Sequence, residues 1–199
     1  PDFVIDPTRS RDSPWSATPC VAAAELRLEA ENLAQQIRTA SDKELEGLKQ
    51  RLERMLKTMP SEWWRSSANC AAVGQAYGEL GLFEKAIEYY ERATSLESAD
   101  ARLKVVEQLA NLRAKFAQRL VESDPKRSRE LFEAAEGEID HVIAIGATPE
   151  RLSIKGSLNK RRARGATSAR ARVDALRKMA EGYLAAKRLA SDPRNPNFR

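Results

Sequence analysis

Cysteine is scarce in this 199-residue chain: Cys20 and Cys70 stand fifty positions apart, with no second pair and no CxxC. That spacing excludes a disulfide framework and a cysteine-based zinc site, and it fits a reducing compartment. Glycine and proline, nine of each, are too few for the turns of a sandwich or barrel. No apolar run approaches the ~18 residues that span a bilayer, and the first residues lack the basic-then-apolar order of a signal peptide. A cytoplasmic protein without a membrane segment is the expectation. The chain starts at Pro1 without a methionine, which reads as a piece of a longer protein. There is one histidine, His141, in the middle of a helical segment, and there is no glycine-rich phosphate loop or cluster of metal ligands. A Cys70 and His141 dyad would need the fold to bring two distant segments to hydrogen-bond distance. No catalytic residue, metal or cofactor is expected.

Charge of both signs is abundant. Thirty-four Lys and Arg against 29 Asp and Glu leave a net charge of +5, too well balanced to indicate nucleic-acid binding by itself. Charged residues are 32% and hydrophobic residues 42% of the chain, the mixture of amphipathic helices. The pattern predicts an all-α fold of about eight helices. Residues 1–17, with Pro7 and Pro14 among Ser, Arg and Asp, read as an extended arm. Thr18 and Pro19 open a first helix to about Thr39, and the S-x-x-E box of Ser41 and Glu44 opens a second that Pro60 stops. Residues 18–60 are thus expected to form an N-terminal helical hairpin. A third helix is expected from Ser61 or Glu62 to Glu79 and a fourth from Phe83 to Leu96, with Gly81 at the corner. A fifth runs from about Ala101 to Val121. Asp124 with Pro125, and Thr148 with Pro149, start two more, Gly165 breaks the second of these, and Ser168 to Leu189 makes the eighth. Residues 191–199 read as an extended tail.

The most informative stretch is CAAVGQAYGELGLFEKAIEYYERATSLES, from Cys70 to Ser98. Small residues at Gly74, Ala86 and Ala93 let two antiparallel helices approach closely, while Tyr77 and Tyr90 fill the space between hairpins. These separations resemble the tetratricopeptide repeat, with Val73 at the family's leucine position and Cys70 where tryptophan is frequent. Ser98 stands in place of the usual closing proline. A second unit aligns 36 residues on, with Val106, Leu109 and Ala110 in register but Arg113 at the tyrosine position. A third begins near Pro149, with Leu152 and Gly156 on the pattern and Asn159 at the tyrosine position. The resemblance implies a right-handed α-solenoid of antiparallel hairpins, with about three repeats over 61–190, the later ones degenerate. The run TPERLSIKGSLNKRRA is also similar to degenerate repeats found beside caspase-like protease domains in bacteria.

In that family the first helix of each hairpin lines a concave groove that holds a peptide. Carried over by the alignment, the groove here comprises Gln75, Glu79, Lys104, Glu107, Asn111, Lys115, Ser153, Ser157, Lys160 and Arg161. The lining becomes more basic toward the C-terminal end, so the resemblance implies a protein or peptide partner, acidic or ending in a free carboxylate. The chaperone-binding members place a Lys and an Asn where this chain has Ala71 and Gln75, which disfavours a chaperone adaptor. The acid-free run from Lys160 to Arg172 leaves an alternative, a basic helical module contacting nucleic acid, although no aromatic residues interleave to stack on bases.

Overall fold

The computed structural model describes residues 19–96 and 99–192, so the expected arm over 1–17 and residues 193–199 of the expected tail lie outside the described residues. The described chain is eight α-helices without a strand. They are α1 (Pro19–Thr39), α2 (Asp42–Lys57), α3 (Ser67–Glu79), α4 (Phe83–Ser95), α5 (Ala99–Leu120), α6 (Pro125–Ile145), α7 (Pro149–Arg164) and α8 (Ala169–Ala190). Three antiparallel pairs, α3 with α4, α5 with α6 and α7 with α8, stack in sequence order as a tetratricopeptide-like solenoid.

Local chemistry accounts for the boundaries. The Glu44 carboxylate accepts from the Ser41 N–H at 2.8 Å and from its hydroxyl at 2.6 Å, fixing the start of α2. These two bonds hold the Glu44 carboxyl below its ordinary range. Asp124, Thr148 and Ser168 accept from the backbone N–H groups of Arg127, Arg151 and Ala171 at 3.0, 3.2 and 3.2 Å, and proline occupies the first turn of α6 and α7. Residues Ser61–Arg65, read above as the start of the third helix, are instead a separate 3₁₀ turn, and α3 begins anew after Ser66. The break has a purpose in packing: it turns Trp63 into the core, 1% exposed, where Asn69 Nδ2 donates to its carbonyl at 3.0 Å.

The corner between α3 and α4 is a Schellman motif. Gly81 takes φ +73°, Leu82 N–H donates to the Tyr77 carbonyl at 3.0 Å, and Gly81 N–H donates to Gly78 at 3.1 Å. Beyond the corner the helices close on Gly74, where an added Cβ would lie 2.9 Å from Tyr90 Cδ2 and 3.2 Å from the Ala86 carbonyl. The last pair closes on backbone: a Cβ on Gly182 would lie 3.0 Å from the backbone of Gly156. One buried core runs from Leu33 and Ile37 of α1 through Val73, Ala86, Leu109, Phe132 and Ile139 to Leu158 of α7. α1 lies mainly along α3, with a smaller contact to α2, so it stands beside the repeats as a further layer.

Candidate functional site

Where α3 and α5 run side by side, a cleft of about 320 Å³ opens between them. Its first wall is the α3 stripe Gly74, Gln75, Gly78 and Glu79, and its second is Lys104, Gln108, Asn111, Leu112 and Lys115 of α5. Both stripes follow from helical spacing, because positions three and four apart share a face. The two glycines remove bulk from the first wall, and the Tyr90 ring of α4 closes the floor. Burial, with the charge of Glu79 as a lesser cause, pushes the Tyr90 phenol up to about 12, so it is a neutral group at physiological pH.

Arg38, at the end of α1, completes the rim. Its Nη2 and Nε both donate to Glu79 Oε1, at 2.6 and 3.2 Å, and this pairing raises the Arg38 pKa. Among the described residues Glu79 is the one acidic residue lining the cleft, and it is neutralised by Arg38. Lys104 and Lys115 carry no ion pair with any described residue, so among the described residues their two positive charges stand uncompensated beside the amides of Gln75, Gln108 and Asn111. A larger cleft of about 450 Å³, between α6 and the α7–α8 turn, is different in kind. There Arg129 and Arg162 face Glu133, Glu136 and Asp174, and Arg162 Nη1 donates to Glu136 at 2.7 Å. Its charges answer one another, leaving no excess of positive charge for an anion.

The residues carried over from the resemblance divide into two sets. Gln75, Glu79, Lys104, Asn111 and Lys115 meet in the α3–α5 cleft. Glu107 lies elsewhere, 6% exposed, accepting from Arg151 Nε at 2.7 Å; Arg151 also donates to the Gly146 carbonyl at 2.5 Å and so ties the start of α7 to α5 and α6. Ser153 donates to the Pro149 carbonyl at 2.8 Å within its own helix, and Ser157 is 2.9 Å from the Tyr183 hydroxyl between α7 and α8. Arg161 is half-buried, and burial lowers its pKa, with Tyr183 opposing and the charge of Arg164 adding a lesser push in the same direction. Lys160 borders a separate depression between α7 and α8. Arg38 and Gln108 are cleft residues that the alignment did not reach. Gln108 sits one turn from both Lys104 and Asn111, so helical spacing alone points to it; Arg38 lies before the repeat motif and has no such signal.

Cys70 is fully buried in α3, its Sγ 3.5 Å from the Trp64 carbonyl, and burial raises its thiol pKa, the opposite of what an activated nucleophile requires. His141 is exposed on α6. No described helix is long and apolar enough to cross a membrane.

Compared with known proteins, residues 82–197 match the family model described as Tetratricopeptide Repeats-Sensor, over half of the chain. No curated protein and no solved structure matches it.

Proposed function

The chain belongs to the Tetratricopeptide Repeats-Sensor family, and from that premise we propose that it is an interaction and sensing module whose α3–α5 cleft receives an acidic peptide segment or a peptide C-terminus. The observation that carries this reading is the pair of ammonium groups, Lys104 and Lys115, on the wall facing Gln75, neither with an ion-pair partner among the described residues. Eleven residues of helix separate them, about 16 Å along the axis at 1.5 Å per residue. An extended segment rises about 3.3 Å per residue, so roughly five residues reach from one lysine to the other. Asn111 and Gln108 lie between, able to hydrogen-bond the peptide backbone.

The test is fluorescence anisotropy with a labelled pentapeptide of Glu and Asp bearing a free C-terminus. Wild-type protein is expected to bind it in a salt-sensitive manner, and the K104A/K115A double variant to bind at least tenfold more weakly, which is about 1.4 kcal/mol. Equal binding by the two proteins removes the cleft from consideration. Binding equally strong for the C-terminally amidated peptide assigns recognition to side-chain carboxylates and not to the terminus.

A further inference from the structure

Each step of the stack repeats one event: the first helix of a pair seats itself on the two helices of the pair before it, α5 on α3 and α4, then α7 on α5 and α6. The ion pairs across these steps have a consistent sense. α5 brings Arg113 to Glu91 of α4 at 2.5 Å. α7 brings Arg151 to Glu107 at 2.7 Å, Arg162 to Glu136 at 2.7 Å and Lys155 to Asp140 at 2.5 Å. The arriving helix supplies bases and the receiving pair supplies acids.

At the outer side of α7 and α8 the sense is reversed. A depression of about 480 Å³ is formed, among the described residues, by these two helices, floored by Ala163, Leu176 and Met179 and bordered by Lys160, Arg164 and Arg172. No described residue pairs with those three bases. Another side of α8, through Ala171, Asp174 and Ala175, faces the α6 cleft. Along α8 the apolar surface continues through Val173, Leu176 and Leu184, which are 66%, 42% and 53% exposed and share one helix face at 3.6 residues per turn. This band spans about 16 Å, the length of three turns.

We propose that the outer face of α7 and α8 is a docking surface for an acidic amphipathic helix of a separate protein. Geometry specifies a helix, because the corresponding face of each preceding pair receives one. Charge specifies its sign: the apolar face of the partner helix covers Leu176 and Met179, and flanking Glu or Asp residues meet Lys160, Arg164 and Arg172. A helix of the α5 or α7 kind, carrying arginines at its seat, would bring like charges together there, so the surface does not continue the internal pattern of this chain. The proposal does not rest on the reading of the α3–α5 cleft, which lies on other helices.

The probe is a labelled synthetic helix of about 20 residues with a leucine face flanked by glutamates. Its controls are the same helix with lysine for glutamate and a scrambled glutamate peptide with no apolar face. Anisotropy should show saturable binding of the glutamate helix alone. Binding should weaken at least tenfold in K160E/R164E/R172E and again in Leu176→Asp, an exposed position whose fold is checked by circular dichroism, while K104A/K115A binds as the wild type does. The proposal is overturned by no binding of the glutamate helix, by equal binding of the scrambled peptide, or by loss of binding only in the cleft variant. Saturable binding of phosphatidylserine vesicles or single-stranded RNA, lost in the triple variant while the glutamate helix still binds, assigns the basic border to those ligands and overturns it as well. So does concentration-dependent dimerisation in sedimentation velocity that Leu176→Asp abolishes, because a second copy would then be the occupant.

Discussion

The first and last hairpins of the stack solve the same packing problem with different chemistry. In both, a glycine lets the two helices touch: Gly74 against Tyr90 and Ala86 in one, Gly156 against Gly182 and Tyr183 in the other. The position three residues further on differs. In α3 it is Tyr77, 3% exposed and stacked on Tyr89 at 5.5 Å, which in turn stacks on Trp64 at 5.5 Å. In α7 it is Asn159, fully buried, with its Nδ2 donating to the Lys155 carbonyl at 3.0 Å and its Oδ1 unpartnered. The middle unit places Arg113 there, bonded to both Glu91 and Glu138. Close approach of small residues is therefore the fixed requirement of the architecture. What fills the remaining space is free to change from aromatic to ionic to amide.

The comparison breaks most severely at the aromatic filler. Tyr77→Ala should cost about 3 kcal/mol, near the lower end for truncating a buried ring, and lower Tm by roughly 6–12 °C in a thermal melt. A loss under about 1 kcal/mol would mean that the neighbouring rings collapse into the space. Gly182→Val tests the shared requirement at the other end. Its side chain meets the Gly156 backbone, which cannot yield as a flexible side chain would, and the expected loss is about 2–3 kcal/mol.

The ionic filler in the middle unit should respond both to mutation and to pH. Arg113→Met leaves the half-buried Glu138 without its partner and should cost about 2 kcal/mol, less than the 3–5 of a fully buried pair because the two side chains remain 15% and 19% exposed. Adding Glu138→Gln should restore much of that loss, giving a coupling energy in a double-mutant cycle. Burial raises the Glu138 carboxyl pKa, with the charge of Arg113 opposing it. The folded state therefore holds this proton more tightly than the unfolded chain does. Its contribution to stability falls as pH rises from the ordinary glutamate range, about 4.3, through the raised folded value. Glu138→Gln should flatten denaturant midpoints across that window. The smallest expected effect is at the amide: Asn159→Leu removes the unpartnered oxygen but is bulkier and gives up the Nδ2 bond to Lys155, so the two effects should offset and stability should change by less than about 1 kcal/mol.

These differences explain what the sequence alone revealed. The helices were legible because their signals are local: Ser41 with Glu44, Asp124 with Pro125, Thr148 with Pro149 and Gly165 all act within a few residues of themselves. The first repeat was legible because Gly74, Tyr77, Ala86, Tyr90 and Ala93 do their packing through residue type. The later units were fainter because their filling work passes to pairs such as Arg151 with Glu107, 44 positions apart, which no periodicity displays. The alignment accordingly places Glu107 in the groove, whereas its charge is used inside the stack. The continuous third helix failed for a related reason, since the burial of Trp63 that breaks it is decided by tertiary packing. In the cleft, the α3 and α5 residues are reached through the family resemblance, but the contribution of α1 is not.

That contribution has a thermodynamic consequence. The family match begins at residue 82, yet one wall of the cleft belongs to α3 and its rim to Arg38 of α1, held through Glu79. The N-terminal helix and any occupant of the cleft therefore share a pair of groups, and their equilibria are linked. Whatever free energy an occupant adds to or subtracts from the seating of α1, the seating of α1 adds to or subtracts from the affinity for that occupant, in equal measure.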